Sequence, residues 1–231
     1  PHGSVMYVSF ANRVVELPLA VLVMAISTAA LPSLSALRGQ NKLYEMKRTY
    51  NHALRLALFV ATPAMVALVV LAEPVVAILY QRGHFTYLET VQTANGLRWL
   101  SLGICSVALL QQTVPVFYAL ENVWTPVLMI VVFIVTHIST GYVLKGPYLH
   151  EGLCMALSIA ATVQALGLLL LLRKNIGRLG LKKTIISWLR MLLASGLMSV
   201  AIYYLAKLGD WEQGGNSMRN IGVVLFTVFG G

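Results

Sequence analysis

The sequence has few charged residues and very few cysteines. Only 11% of its 231 residues are charged, whereas soluble domains carry about a quarter. A soluble globular fold is therefore excluded, and a hydrophobic content of 58% indicates an integral membrane protein. Cys105 and Cys154 both lie within apolar runs, so we predict two buried free thiols and no disulfide.

Sequence motifs for catalysis are also missing. The chain has no G-x-S-x-G, Walker or H-E-x-x-H sequence. The histidines are too dispersed to suggest a metal site: His2, His52, His84, His137 and His150. The sequence therefore predicts no enzyme, no metal and no cofactor.

Long apolar runs define the expected fold. A span needs about 20 apolar residues, and backbone groups in lipid must be hydrogen-bonded internally. No run alternates with period two, as barrel strands do. We predict an all-α polytopic transmembrane helical bundle with six full spans and a truncated seventh. The predicted spans are 6–31, 53–72, 97–118, 126–144, 153–172, 187–206 and 221 onward. Because the chain lacks an initial Met and ends within an apolar run, we expect residues 1–231 to be a single membrane domain fragment.

Lysine and arginine concentrate in two connections. The first holds Arg38, Lys42, Lys47 and Arg48, with Arg55 just beyond. The second holds Arg173, Lys174, Arg178, Lys182 and Lys183, with Arg190 just beyond. The positive-inside rule places both in the cytoplasm, so the first span runs inward. The net charge of +9 is then a topology signal, and no nucleic-acid partner is predicted.

The same two connections have amphipathic patterns. Residues 34–51 and 176–186 combine apolar residues at three-to-four spacing with lysine and arginine. This pattern is typical of helices lying on the membrane surface. A solvated linker is an equally good interpretation of the second.

Polar residues in the first span point to function. On a helix, Asn12 and Glu16 lie about 40° apart, and Arg13 lies within about 100° of both. An ionisable group inside a span indicates a functional site, and Pro18 permits irregular backbone beside a cavity. Because guanidinium matches phosphate, we interpret Arg13 as a ligand for a phosphorylated substrate in a water-filled cavity. The alternative is that Arg13 extends outward and pairs with Glu16.

Two adjacent glutamines interrupt the third span. Gln111 and Gln112 lie in an otherwise apolar run. We predict that they bridge helices, and a contact with the cavity is a further interpretation.

Five ordered motifs carry a resemblance to a known family. They are ANRVVELPLAVLVMAISTAALPSLS at 11–35, Ala53-Leu54-Arg55-Leu56 with Pro63, LAEPVVAILYQRGHFT at 71–86, VPVFYALENVWTPV at 114–127, and Gly152-Leu153. With these motifs the chain resembles the MurJ (MviN) proteins, which flip lipid II across the bacterial inner membrane. The resemblance implies the C-terminal half of a fourteen-helix fold. Residues 6–118 would form part of its transport bundle, with helix 6–31 facing the cavity, and 126–231 the remaining helices.

The resemblance also implies a function and a site. The chain would flip undecaprenyl-pyrophosphate-linked lipid II from the inner to the outer leaflet by alternating access. Its partners would be lipid II, membrane lipids and the missing N-terminal half. Arg13 matches the family's cavity arginine and Glu16 its acidic neighbour, while Asn12 stands where the family usually has Asp. Sodium ligands found in some members near His137 and Gly141 are absent, so the resemblance does not extend to that site.

Two other functions are compatible with the same sequence. A related exporter could move another polyprenyl-linked saccharide or a small cation. A non-transporting scaffold for cell-wall assembly is the third interpretation. Arg13 argues against a cation exporter, since such proteins need carboxylates in the cavity.

Overall fold

The computed structural model describes residues 4–81, 85–177 and 179–206. In these ranges the chain is helical and contains no strand, which confirms the predicted all-α class. The elements are α1 (Ser4–Pro18), a π-helical segment (Leu19–Val23), α2 (Met24–Gly39), α3 (Leu43–Val70), α4 (Ala72–Tyr80), α5 (Tyr87–Leu102), α6 (Ile104–Ala119), α7 (Trp124–Ile176) and α8 (Lys182–Ala206). The predicted seventh span, from 221 onward, lies outside the described residues.

Element α7 is a helical hairpin, although helical backbone is assigned throughout its length. A Cβ atom on Gly152 would lie 2.6 Å from the carbonyl oxygen of Leu144, and one on Gly141 would lie 3.9 Å from Ala156 Cβ. In a straight helix, residues eight apart are about 12 Å apart, so the chain must reverse here. Its two arms are Trp124–Leu144 and Glu151–Ile176. The predicted break between 144 and 153 agrees with this reversal.

Within the described ranges, three helical segments are long and apolar enough to cross a membrane. These are Leu43–Val70, Trp124–Leu144 and Glu151–Ile176. Helices α5 and α6 form a fourth if they are one span bent by 43°. The count of six full spans stays a prediction, because the first is interrupted after Pro18 and α8 begins with Lys182 and Lys183.

The predicted surface helix over 34–51 is wrong. Residues up to Gly39 end α2, a turn with Asn41 at φ +56° follows, and α3 begins at Leu43. Leu34 and Met46 are each only 1% exposed, so the apolar side of this pattern packs inside the bundle. The break at Asn41 and the burial of Leu34 and Met46 are incompatible with one continuous helix lying on the surface.

The second predicted surface helix, 176–186, is also not formed. Gly177 and Gly180 have φ values of +77° and +68°, in the left-handed region that glycine tolerates best. The helix therefore ends at Ile176, and α8 begins only at Lys182. A linker therefore joins α7 to α8, but it is not the solvated linker of the alternative interpretation, because Leu179 within it is only 4% exposed.

The core lies where α3, α5 and α6 meet. Tyr50, Leu97, Ile104 and Phe117 are at most 1% exposed, and the hydroxyl groups of Tyr50 and Thr113 are 3.0 Å apart. Helix α3 packs against α2, α6 and α8, while α1 packs against α5. Both cysteines are buried and free, as predicted.

Candidate functional site

Aromatic residues anchor the first part of α1. The Phe10 ring lies 4.6 Å from the Tyr80 ring and 5.9 Å from the Phe85 ring, measured between centroids. The Tyr80 hydroxyl donates to the Phe10 carbonyl oxygen at 3.5 Å. These contacts fix α1 against the end of α4, one turn before the predicted polar residues.

Small and branched residues set the rotation of α1. Ala11, Val14 and Val15 are no more than 6% exposed and face the bundle. Ala11 packs against α5 beside Gly96, where an added Cβ atom would be in ordinary contact, 4.0 Å from Ala11 Cβ. The opposite face of α1 is therefore exposed.

The exposed face carries the three predicted site residues. Asn12 Nδ2 donates to Glu16 Oε1 at 2.6 Å, as their predicted angular separation allows. Arg13 is also exposed. Within the described ranges it forms no ion pair with Glu16, so the alternative of a simple Arg13–Glu16 pair is not observed. The guanidinium is free to bind another anion.

A cavity of about 500 Å³ opens beside this polar face. Asn12 and Glu16 line it, together with residues of α5, α6 and both arms of α7. The other lining residues are Val15, Leu19, Ala20, Met24, Leu100, Gly103, Val107, Gln111, Phe133, Leu157, Ser158 and Ala161. Arg13 is not a lining residue of this cavity: the structure brings Asn12 and Glu16 to its wall and leaves Arg13 on the adjoining exposed face.

The irregular backbone predicted at Pro18 is present. Proline has no N–H to donate to the preceding turn, and the π-helical segment Leu19–Val23 follows at once, with Met24 N–H donating to the Leu19 carbonyl. Single π-helical turns within α-helices occur frequently at functional sites. Here the segment supplies part of the cavity wall through Leu19 and Ala20.

The two glutamines of α6 have different roles. Gln112 is 2% exposed, and its Nε2 donates to the Val23 carbonyl at 3.0 Å, which confirms the predicted bridge. Gln111 lines the cavity, and its buried Oε1 has no hydrogen-bond partner among the described residues. Its backbone carbonyl accepts a hydrogen bond from Ser27 Oγ at 2.6 Å.

Sequence reasoning missed most of the cavity wall. Phe133, Leu157 and Ser158 reach it from the α7 hairpin, and no sequence signal distinguishes them from other residues of apolar spans. Gln111 is the exception, because an amide side chain within an apolar run is a recognisable candidate for a contact with the cavity. The Ser158 hydroxyl donates to the Trp99 carbonyl at 2.7 Å and so ties this wall to α5.

The family described as "Lipid II flippase MurJ" matches residues 1–220 of the chain. The chain belongs to the MurJ family. The match extends over nearly the whole sequence and confirms the resemblance that the five motifs carry.

Several MurJ proteins show how much of the family's length is present. Probable lipid II flippases from Bdellovibrio bacteriovorus and Rhizobium meliloti are each 32% identical, over 75% and 90% of this chain and 33% and 38% of their own lengths. The lipid II flippase MurJ of Burkholderia cenocepacia is 30% identical over 90% of this chain and 40% of its own. The chain thus spans about a third to two fifths of the curated relatives it matches.

A solved MurJ structure has the same fold. The structure named "Lipid II flippase MurJ, inward closed conformation" superposes with a TM-score of 0.80 at 27% identity. The match covers 98% of this chain and 45% of the other.

The neighbouring glutamines provide a matched test of the cavity wall. We expect Gln112→Leu to lower the free energy of unfolding by about 1 kcal/mol, because a buried hydrogen bond to Val23 is lost. Gln111→Leu should leave stability unchanged, because its side-chain oxygen has no bond to lose and its backbone contact with Ser27 remains. Denaturant unfolding of the full-length protein in detergent would measure both. Equal losses for the two variants would contradict these roles.

Proposed function

We propose that this chain is the C-terminal part of a flippase that moves lipid II from the inner to the outer leaflet of the bacterial inner membrane. The observation that carries the proposal is the exposed face of α1, where the Arg13 guanidinium, which forms no ion pair with Glu16, adjoins a largely apolar cavity whose wall carries Asn12 and Glu16. Arg13 would bind the diphosphate of the lipid headgroup, because guanidinium donates two parallel hydrogen bonds to phosphate oxygens.

The exposed face of α1 would line a central cavity in the whole protein. Relatives of the family are more than twice as long as this chain, so their remaining helices would cover the face that the described residues leave open. In this arrangement Asn12 and Glu16 would contact the headgroup beside the diphosphate. Their amide and carboxylate suit sugar and peptide hydrogen bonds.

Transport would proceed by alternating access. Two helical bundles would rock about the cavity and expose it first to one side of the membrane and then to the other. The polyprenyl chain would stay in lipid, so only the headgroup would cross with the cavity. The first span would run inward as helix eight of fourteen, and the basic connections would lie in the cytoplasm.

Reconstitution of the full-length protein tests the proposal. Liposomes containing lipid II with a fluorescent headgroup would be treated with a membrane-impermeant quencher. We expect quenching beyond the outer-leaflet fraction only in vesicles that hold the protein. Quenching no greater than in protein-free vesicles would refute flipping. A parallel arm with a different saccharide on the same polyprenyl diphosphate would determine whether the headgroup sugar is recognised.

A further inference from the structure

A second pocket lies at the other end of the bundle, in the region that charge places at the cytoplasmic surface. Its volume is about 770 Å³, and it lies between the first turns of α3 and the linker that precedes α8. The residues that line it are Tyr44, Lys47, Arg48, Thr49, Asn51, His52, Arg55, Leu179, Gly180 and Lys183. It shares no lining residue with the cavity beside Asn12 and Glu16.

Four of the lining residues are lysine or arginine, and none is a carboxylate. Lys47, Arg48 and Arg55 come from α3, and Lys183 comes from α8. Among the described residues none of the four forms an ion pair. Like charges gathered at one site repel one another unless an anion or solvent compensates them. The pocket is therefore a concentrated positive site with no carboxylate in its wall to balance it.

Hydrogen bonds hold the pocket in shape. Asn51 Nδ2 donates to the Leu179 carbonyl at 2.6 Å and to the Lys47 carbonyl at 3.0 Å. Arg55 Nε donates to Thr184 Oγ1 at 3.2 Å, and Leu179 and Thr184 are at most 4% exposed. These bonds tie the linker to α3, so the cations are presented by a fixed frame rather than by a loose loop.

The chemistry of Arg55 suits an anion. Its Nε is used in the bond to Thr184, which orients the planar guanidinium and leaves the terminal nitrogens free to donate. Lys47 and Arg55 lie eight residues apart on α3, and residues four apart on a helix share a face. Guanidinium and ammonium groups together match the oxygens of a phosphate group.

We propose that this pocket binds the phosphate group of an anionic ligand at the inner surface of the membrane. Basic pockets between helices on the cytoplasmic side are typical sites for anionic lipid headgroups. An apolar slot of about 310 Å³ begins next to it, lined by Leu54, Leu58, Leu181, Ile185 and Trp188 among others. This slot lies between α3, α6, α7 and α8, and the bond from Arg55 to Thr184 joins its wall to that of the basic pocket. A ligand with its phosphate headgroup in the basic pocket would place an acyl chain in the slot. The site is independent of Arg13 and does not rest on the proposed transport function.

Binding to the full-length protein in neutral detergent tests this site. The probes are a short-chain phosphatidylglycerol, a phosphatidylcholine of equal chain length, and inorganic phosphate. The pocket variant is Arg48→Gln/Lys183→Gln, because both side chains are exposed and the framework bonds of Asn51 and Arg55 remain. The matched control is Arg38→Gln/Lys174→Gln, which removes the same charge from the same side but outside the pocket.

We expect saturable binding of phosphatidylglycerol. Its Kd should rise about 30-fold in the pocket variant, because each basic residue near an anionic lipid contributes a roughly additive attraction. The control double variant should raise the Kd for phosphatidylglycerol by about threefold or less. If inorganic phosphate binds with the same variant dependence, the site takes a soluble phosphate; if only the lipid binds, it is a headgroup site. Equal weakening by both double variants, or binding of phosphatidylcholine as tight as that of phosphatidylglycerol, would overturn the proposal.

Discussion

Replacing Arg13 with alanine in the full-length protein is expected to abolish growth of a strain that depends on this protein for lipid II transport. The guanidinium is exposed on α1 and free of an ion pair with Glu16, so under the proposed function its loss removes a ligand for the diphosphate and not a structural contact. A charge-assisted hydrogen bond contributes about 1.5–3 kcal/mol. The corresponding drop in transport rate is roughly 10- to 160-fold.

Two further variants define the chemistry at this position. Arg13→Lys keeps the charge but loses the planar fork, and we expect it to restore only a small part of growth. Arg98→Ala is the matched control, on the side of the bundle that the positive-inside rule predicts to be the outer one. Arg98 lies 3.9 Å from Glu73 in a partly exposed ion pair and donates to Asn95 Oδ1 at 3.0 Å. A surface ion pair contributes about 0–1 kcal/mol, so growth should be nearly normal. Normal growth of the Arg13→Ala strain, at equal protein levels in the membrane, would remove the basis of the proposed function.

The polar patch of α1 could be predicted because its geometry is local. Helical periodicity alone places Asn12 and Glu16 on one face, and the structure joins them by a hydrogen bond of 2.6 Å. The position of Arg13 outside the 500 Å³ cavity could not be predicted in the same way. It depends on how α1 is rotated by Ala11 against Gly96, a contact between residues far apart in the chain.

The connections illustrate a second limit of sequence patterns. A helix on a membrane surface and a helix end packed on a bundle have the same sequence pattern. Both have an apolar stripe with lysine and arginine on the opposite face. Leu34 and Met46 are buried, and only tertiary contacts decide between these cases. The basic pocket is hidden for the same reason, because Asn51 meets the Leu179 carbonyl across a separation of 128 residues.

Gly152→Ala is expected to destabilise the protein more than alanine at the other described helical glycines. Its new Cβ atom would meet backbone atoms, which cannot move aside. A Cβ atom there would lie 2.6 Å from the Leu144 carbonyl oxygen and 3.0 Å from the Leu144 carbonyl carbon and Cβ. Backbone atoms cannot rotate away as the end of a side chain can, so the two arms of α7 must separate. Overpacking of this kind costs about 1–3 kcal/mol, and we expect the upper end of that range.

Gly196→Ala is the matched control for the hairpin. A Cβ atom at Gly196 would have no neighbour within 4 Å, and alanine is the better helix former by up to about 1 kcal/mol. The two variants carry the same chemical change and should therefore shift the melting temperature of the full-length protein in opposite directions. Gly167→Ala tests the mechanism within the hairpin itself, because its new methyl group would meet only the flexible end of Met129 and should be tolerated. Equal melting temperatures for Gly152→Ala and Gly167→Ala would contradict this explanation. Close backbone contact at the turn would then not be what holds the arms of α7 together, and the cavity wall formed by Phe133 and Ser158 would need another support.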